Sequence, residues 1–235
     1  MTDPVSLANV TRRYPKVTAL EGVDLTVAHD EVVAVVGPSG CGKSTLLELI
    51  AGLQAPDEGT VTAAEASYMP QRDLLLPWRT ALANAALALE CQGVPRSEAR
   101  RRAEPLFERF GLAEFETARP AELSGGMRQR VAFLRTLLPG RPVLLLDEPF
   151  GSLDSITRAS MQRWLADALS REPRTVVLVT HDVDEALFLA NRVVVLSPRP
   201  GRVVADIEVD IDRPRDVTSP EFGAIKRRAL EALGI

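Results

Sequence analysis

The sequence predicts a three-layer α/β domain with a mostly parallel sheet, an antiparallel β subdomain at its N-terminal end and an inserted α-helical subdomain. Three observations predict it. Short apolar, β-branched runs that read as buried strands alternate with helical patterns. A glycine-rich loop joins one such strand to one such helix. From Thr80 to about Leu138 the chain turns to Ala, Leu, Glu and Arg at helical spacing. With 235 residues there is enough chain for one substantial core.

The loop is Gly37-Pro38-Ser39-Gly40-Cys41-Gly42-Lys43-Ser44-Thr45, which satisfies the phosphate-binding pattern G-x-x-x-x-G-K-[ST]. The apolar run Val32 to Val36 precedes it, and Leu46, Leu47, Leu49, Ile50 and Ala51 follow at helical spacing up to Gly52. Glycines let the backbone approach a ligand closely, successive N–H groups form an anion nest, and the helix adds its positive end. A nucleoside di- or triphosphate fits such a cradle. Lys43 is expected along the β and γ phosphates, and the Ser44 hydroxyl is expected to hold Mg²⁺.

Taken in order, Val5 to Val27 alternates loosely and predicts an antiparallel sheet ending near His29-Asp30. His29 lies at the wrong end of the next strand and is assigned no role. Pro56-Asp57-Glu58-Gly59 predicts a turn, and Thr60 to Met69 one or two short strands closing on Gln71. In the helical insertion Ala99, Ala103, Leu106, Phe107 and Phe110 share a face, Pro105 is expected to kink or restart the helix, and Gly111 to end it. Val143 to Leu146 is a buried strand running into Asp147-Glu148-Pro149. A helix from Asp154 to Ser170, a strand from Thr175 to Val179 ending at Thr180-His181-Asp182, a helix through Ala190, a strand from Arg192 to Leu196 and an edge strand near Val203 to Val209 complete the core. Ser219-Pro220-Glu221 opens a last helix. That helix is free to pack on its own core or on a neighbour.

Hydrophobic residues are 46% and charged residues 26%, the balance of an ordinary globular protein. A net charge of −4 argues against a nucleic-acid coat, so Arg100-Arg101-Arg102 reads as a solvated helix face. Cys41 and Cys91 form no metal-spaced pair, which points to a reducing compartment. No apolar run approaches the roughly 18 residues needed to span a bilayer and the first residues form no secretion signal. A soluble cytoplasmic chain is expected, reaching a membrane only through a partner.

The chemistry gathers at the carboxyl ends of the predicted strands, where Gly37, Asp147 and His181 fall. Asp147 is expected to reach the metal held by Ser44, Glu148 to polarise the attacking water, and His181 to touch the γ-phosphate. A second glycine turn, Leu123-Ser124-Gly125-Gly126-Met127-Arg128-Gln129-Arg130, opens a helix inside the insertion. If the two half-sites cannot meet within one monomer, a two-fold dimer brings each glycine turn over the partner's phosphate loop.

In this order, Gly37 to Thr45, Gln71, Leu123-Ser124-Gly125-Gly126, Leu144 to Pro149, Ser152-Leu153-Asp154 and His181 resemble the nucleotide-binding subunit of an ABC transporter over essentially the whole chain. The resemblance implies a P-loop NTPase core and the cofactors ATP and Mg²⁺. It also implies that Tyr14 stacks on adenine, Gln71 links metal and attacking water to the membrane-facing surface, Ser124, Gly125 and Gly126 cap the nucleotide across the dimer, and Asp154 crosses the interface. The family signature usually ends in Gln, where this chain has Met127. On this reading residues 1–71 and 139–210 form the nucleotide-binding core, 72–138 the helical signature subdomain and 211–235 a tail and helix.

The stretch Met69 to Arg79 is similar to the branch of importers for nitrate, sulfonates, taurine and pyrimidine precursors of thiamine. Its apolar part, Leu74 to Trp78, reads either as buried packing or as an exposed groove for a partner's helix. The partners implied are a second ATPase subunit, an integral membrane permease and, indirectly, an extracytoplasmic solute-binding protein, with no nucleic acid. A soluble ABC ATPase without a permease and a small-molecule kinase are the alternatives.

Overall fold

In the computed structural model, residues 3–151 and 153–235 are described; Ser152, one of the residues carrying the family resemblance, lies outside them. Two sheets organise the chain. Strands β1 (Val5–Tyr14), β2 (Val17–Val27) and β4 (Glu58–Ala63) form an antiparallel sheet in the order β2-β1-β4. Strands β3 (Val32–Val36), β5 (Ala66–Met69), β6 (Val143–Asp147), β7 (Thr175–Thr180), β8 (Arg192–Leu196) and β9 (Val203–Glu208) form a second sheet in the order β5-β6-β7-β3-β8-β9. All neighbours in it are parallel except β8 and β9.

The parallel strands are continuous apolar runs because both faces are covered. In β3 the faces separate by parity. Val33 and Val35 pack with β1, β2 and helix α1 (Lys43–Ile50), whereas Val32, Ala34 and Val36 join the larger core on the other side. That larger core takes in α2 (Ala81–Ala85), α3 (Leu87–Cys91), α4 (Arg96–Arg109), α5 (Gly125–Leu137), α6 (Ser155–Arg171), α7 (Val183–Leu189) and α8 (Pro220–Leu233). The expected three layers result. Helix α8 packs on its own chain, against α7, β8 and β9, with Phe222 and Ala229 buried.

Two local expectations need correction. Residues Glu58 and Gly59 belong to β4 rather than to a turn. Gly59 is needed because the β1 backbone bulges toward it at Asn9, so a Cβ there would lie 2.3 Å from the Asn9 carbonyl oxygen. Helix α4 runs through Pro105 without restarting. Pro105 sits on the exposed face, where water can take the hydrogen bond that the ring denies to the preceding turn. Gly111, with φ +61°, then ends the helix as expected.

Candidate nucleotide site

Because β3, β6 and β7 are parallel and in register, their carboxyl ends share one edge of the sheet. Val36 pairs with Thr180, and Asp147 with Val179. The phosphate loop leaves that edge from β3 and returns as α1. Gly42 caps α1 at φ +108°, and a Cβ there would lie 2.8 Å from the Ala19 carbonyl oxygen, so only glycine fits. No side chain caps the first turn of α1, which leaves its N–H groups for a ligand. Lys43 is buried, and its Nζ donates to the carbonyls of Gly37 at 2.7 Å and Pro38 at 3.1 Å. Cys41 is buried beneath the loop.

A cavity of about 540 Å³ opens over this loop. Of the expected residues, it gathers Tyr14, Ser39, Gly40, Gly42, Lys43, Ser44, Thr45, Gln71, Asp147 and Glu148. Tyr14 stands at its rim, with the Arg12 guanidinium 5.1 Å from the ring centroid and the phenol donating to Gln54 Oε1 at 2.9 Å.

The acid pair splits by environment. Burial pushes the Asp147 carboxyl up, while the Ser44 hydroxyl draws it back down. Tyr68 donates to Asp147 Oδ2 at 3.5 Å, and burial together with that carboxylate raises the phenol, which stays a donor. Glu148 has φ +47°, a strained turn for a side chain of its size, held by its N–H on the Val179 carbonyl at 2.8 Å. The turn delivers its carboxylate to two of the expected site residues. Gln71 Nε2 donates to Oε2 at 3.1 Å, and His181 Nδ1 lies 3.2 Å from Oε1.

The glycine turn of the insertion stands apart from this cavity. Ser124 caps α5, its hydroxyl accepting from Met127 N–H at 3.2 Å, and Gly125 and Gly126 form the first turn. Asp154 is exposed and caps α6 by accepting from the N–H groups of Ile156 and Thr157. None of these four lines the cavity. Met127, in place of the usual Gln, is half-buried and packs against the larger core.

Sequence reasoning missed two contributors. Buried Gln129 donates to the Pro149 carbonyl at 3.2 Å, tying the signature helix to the acid-bearing strand end. Arg199 reaches the cavity from the turn between β8 and β9. The available signal was position: Ser197-Pro198-Arg199-Pro200-Gly201 is a turn cluster at the carboxyl end of a strand beside β3.

A phosphate loop at the centre of a parallel sheet, with a buried and a strained carboxylate at the end of β6, one strand removed from β3, defines a nucleotide-hydrolysing α/β protein. The profile of the ABC transporter family matches residues 20–151, and the chain belongs to that family as an ATP-binding ATPase. It is 45% identical to a formylaminopyrimidine import ATP-binding protein of Halalkalibacterium halodurans, over 90% of this chain and 86% of the relative. It is 44% identical to an aliphatic sulfonates import ATP-binding protein of Rhodococcus jostii, over 97% and 93%. The dimeric post-hydrolysis structure of an ATP-binding cassette bound to ADP and phosphate superposes with a TM-score of 0.81 at 32% identity, covering 88% of this chain and all of that one.

Proposed function

We propose that this ATPase energises import of a small solute, of the nitrate, sulfonate, taurine or pyrimidine-precursor type, through a separate membrane permease, working as a pair of ATPase subunits on the cytoplasmic face of the membrane. No helix among the described residues is long and apolar enough to cross a membrane. The observation that carries the reading is the stretch before the insertion. Leu74 and Trp78 are exposed at 58% and 70% while Leu75 between them is buried. Leu74 borders a groove of about 720 Å³ that is also lined by Leu87, Ala88 and Arg135. An exposed apolar patch beside a groove is the surface a partner helix fills. The two relatives named above are import proteins, which agrees with this assignment.

In the cycle, ATP seats on the phosphate loop with Lys43 turning from its own carbonyls to the phosphates. Glu148 takes a proton from the attacking water, Gln71 and His181 fix its carboxylate, and His181 touches the γ-phosphate. Mg²⁺ fits the residues present. Ser44, Asp147 and Gln71 offer hard oxygen atoms at one edge of the cavity, and no group of three His, Cys, Asp or Glu able to hold a metal occurs among the described residues. Ser44, Asp147 and Gln71 would hold the ion, which would supply charge neutralisation at the phosphates. Because Ser124, Gly125, Gly126 and Asp154 lie outside the cavity, a second subunit supplies them, and ATP closes the pair.

Membrane extraction in detergent tests the reading. A permease is expected to co-purify with the chain and to be lost with Trp78→Ala while nucleotide binding persists. A purely soluble complex, or a phosphorylated small acceptor formed on turnover, overturns it.

A further inference from the structure

Residues 197–202 form a tight turn that rests on the phosphate loop. Ser197 Oγ donates to the Pro200 carbonyl and accepts from the Arg202 N–H, fixing the turn from inside. Gly201 is pinned to β2, its N–H on the Ala19 carbonyl at 2.9 Å and its carbonyl accepting from Glu21 N–H at 3.0 Å. A Cβ at Gly201 would lie 2.2 Å from the Cys41 carbonyl oxygen, so the turn lies directly against the loop.

Arg199 projects from this turn into the cavity. Its Nε donates to the Gly40 carbonyl at 2.9 Å, and Nη2 lies 2.7 Å from where a Cβ on Gly40 would stand. The nearby Arg202 is neutralised by Glu21 at 2.9 Å. Arg199 has no carboxylate partner among the described residues and uses one N–H, leaving the other four of the guanidinium fork. A cation held by a rigid turn, unpaired and facing a phosphate cradle, is built to take an anionic oxygen.

We propose that Arg199 is a second cation of the nucleotide site, contributed from outside the nucleotide motifs, that binds a phosphate oxygen of the bound nucleotide while its Nε holds Gly40 in place. Lys43 approaches from the floor of the loop and Arg199 from its outer side. The proposal rests on the cavity being the ATP site, which Lys43→Ala tests separately.

The test is titration of a fluorescent ATP analogue into wild type, Arg199→Ala, Arg199→Gln and Arg199→Lys, at low and high salt, with melting of each protein without nucleotide. Gln keeps a neutral donor for the Gly40 carbonyl and removes the charge. Arg199→Ala and Arg199→Gln are expected to bind about tenfold more weakly at low salt, with the gap narrowing at high salt and Lys recovering part of it. In turnover the loss falls on KM for ATP rather than on kcat. Wild-type affinity in Arg199→Ala, or full recovery by Arg199→Gln, overturns the proposal, because the charge then does nothing. Should Arg199→Ala melt early, the affinity of Arg199→Gln against wild type decides between the two outcomes. Loss of binding in Lys43→Ala alone leaves the ATP site standing without Arg199.

Discussion

The Asp73 carboxylate accepts from Arg128 Nε at 3.0 Å, joining the loop that carries the exposed Leu74 to the first turns of the signature helix. Arg128 also donates to the Leu123 carbonyl, and Arg135, two turns further on, grips the backbone carbonyls of Asp73 and Leu74. Movement of that surface loop therefore reaches the glycine turn through charge-assisted hydrogen bonds. Asp73→Asn is expected to keep most ATP turnover in the isolated subunit and to cut solute uptake severalfold in the full transporter. Equal uptake per ATP in reconstituted vesicles would show that the pair does not transmit.

Glu148 and Lys43 give opposite phenotypes. Glu148→Gln retains nucleotide binding, loses about two to four orders of magnitude in turnover, and accumulates an ATP-filled pair of subunits visible by size-exclusion chromatography. Lys43→Ala loses binding itself, because the buried ammonium is the charge nearest the floor of the loop. Normal turnover in Glu148→Gln removes Glu148 from its role.

Stability should depend on pH through Glu185. Burial pushes its carboxyl up to about 7 and Asp182 adds to that, against the pull of the Thr180 hydroxyl and of Gln162, whose Nε2 donates to Oε2 at 3.1 Å. The folded value lies above the ordinary 4.5, so the unfolded chain loses this proton first. The group costs nothing below about 4.5, and stability falls as pH rises from there through about 7, by up to about 3 kcal/mol. Glu185→Gln keeps an acceptor for Gln162 and removes the charge. Denaturant unfolding should find it more stable than wild type at pH 8 and equal at pH 4.5; an equal gap at both assigns the effect to packing instead.

Leu75 and Trp78 separate packing from docking. Leu75→Ala empties a buried site and is expected to cost about 2 to 3 kcal/mol in chemical unfolding. Trp78→Ala removes a larger side chain from the surface and should stay within about 0.5 kcal/mol of wild type. A large loss in Trp78→Ala would mean that the ring is a structural element.

Legibility in the sequence followed the range of the interaction. The buried strands could be read because four or five consecutive apolar residues have no other favourable placement, and Asp147, Glu148 and His181 because strand ends in a parallel sheet share an edge. Thr60 to Met69 was legible as strands but not as members of two different sheets, since alternation does not name the neighbour. Pro105 reads in sequence as a kink or a restart, and the helix continues through it without restarting, its ring on the exposed face. Arg199 escaped because its role comes from a side chain reaching across 159 positions of sequence to the Gly40 carbonyl. For Leu74 to Trp78 the answer was divided, Leu75 inward, Leu76 half-buried and Leu74 and Trp78 outward, a distinction that hydrophobicity alone does not make.

Between Ala63 in one sheet and Ala66 in the other, only two residues cross, and both are fastened: Ala64 N–H to the Pro4 carbonyl, and the Glu65 carbonyl to Val143 N–H. Such a strut has no slack, so the two sheets travel as a fixed chassis. On the proposed ATP cycle, movement is expected in the helices from Ala81 onward, which follow a longer irregular run.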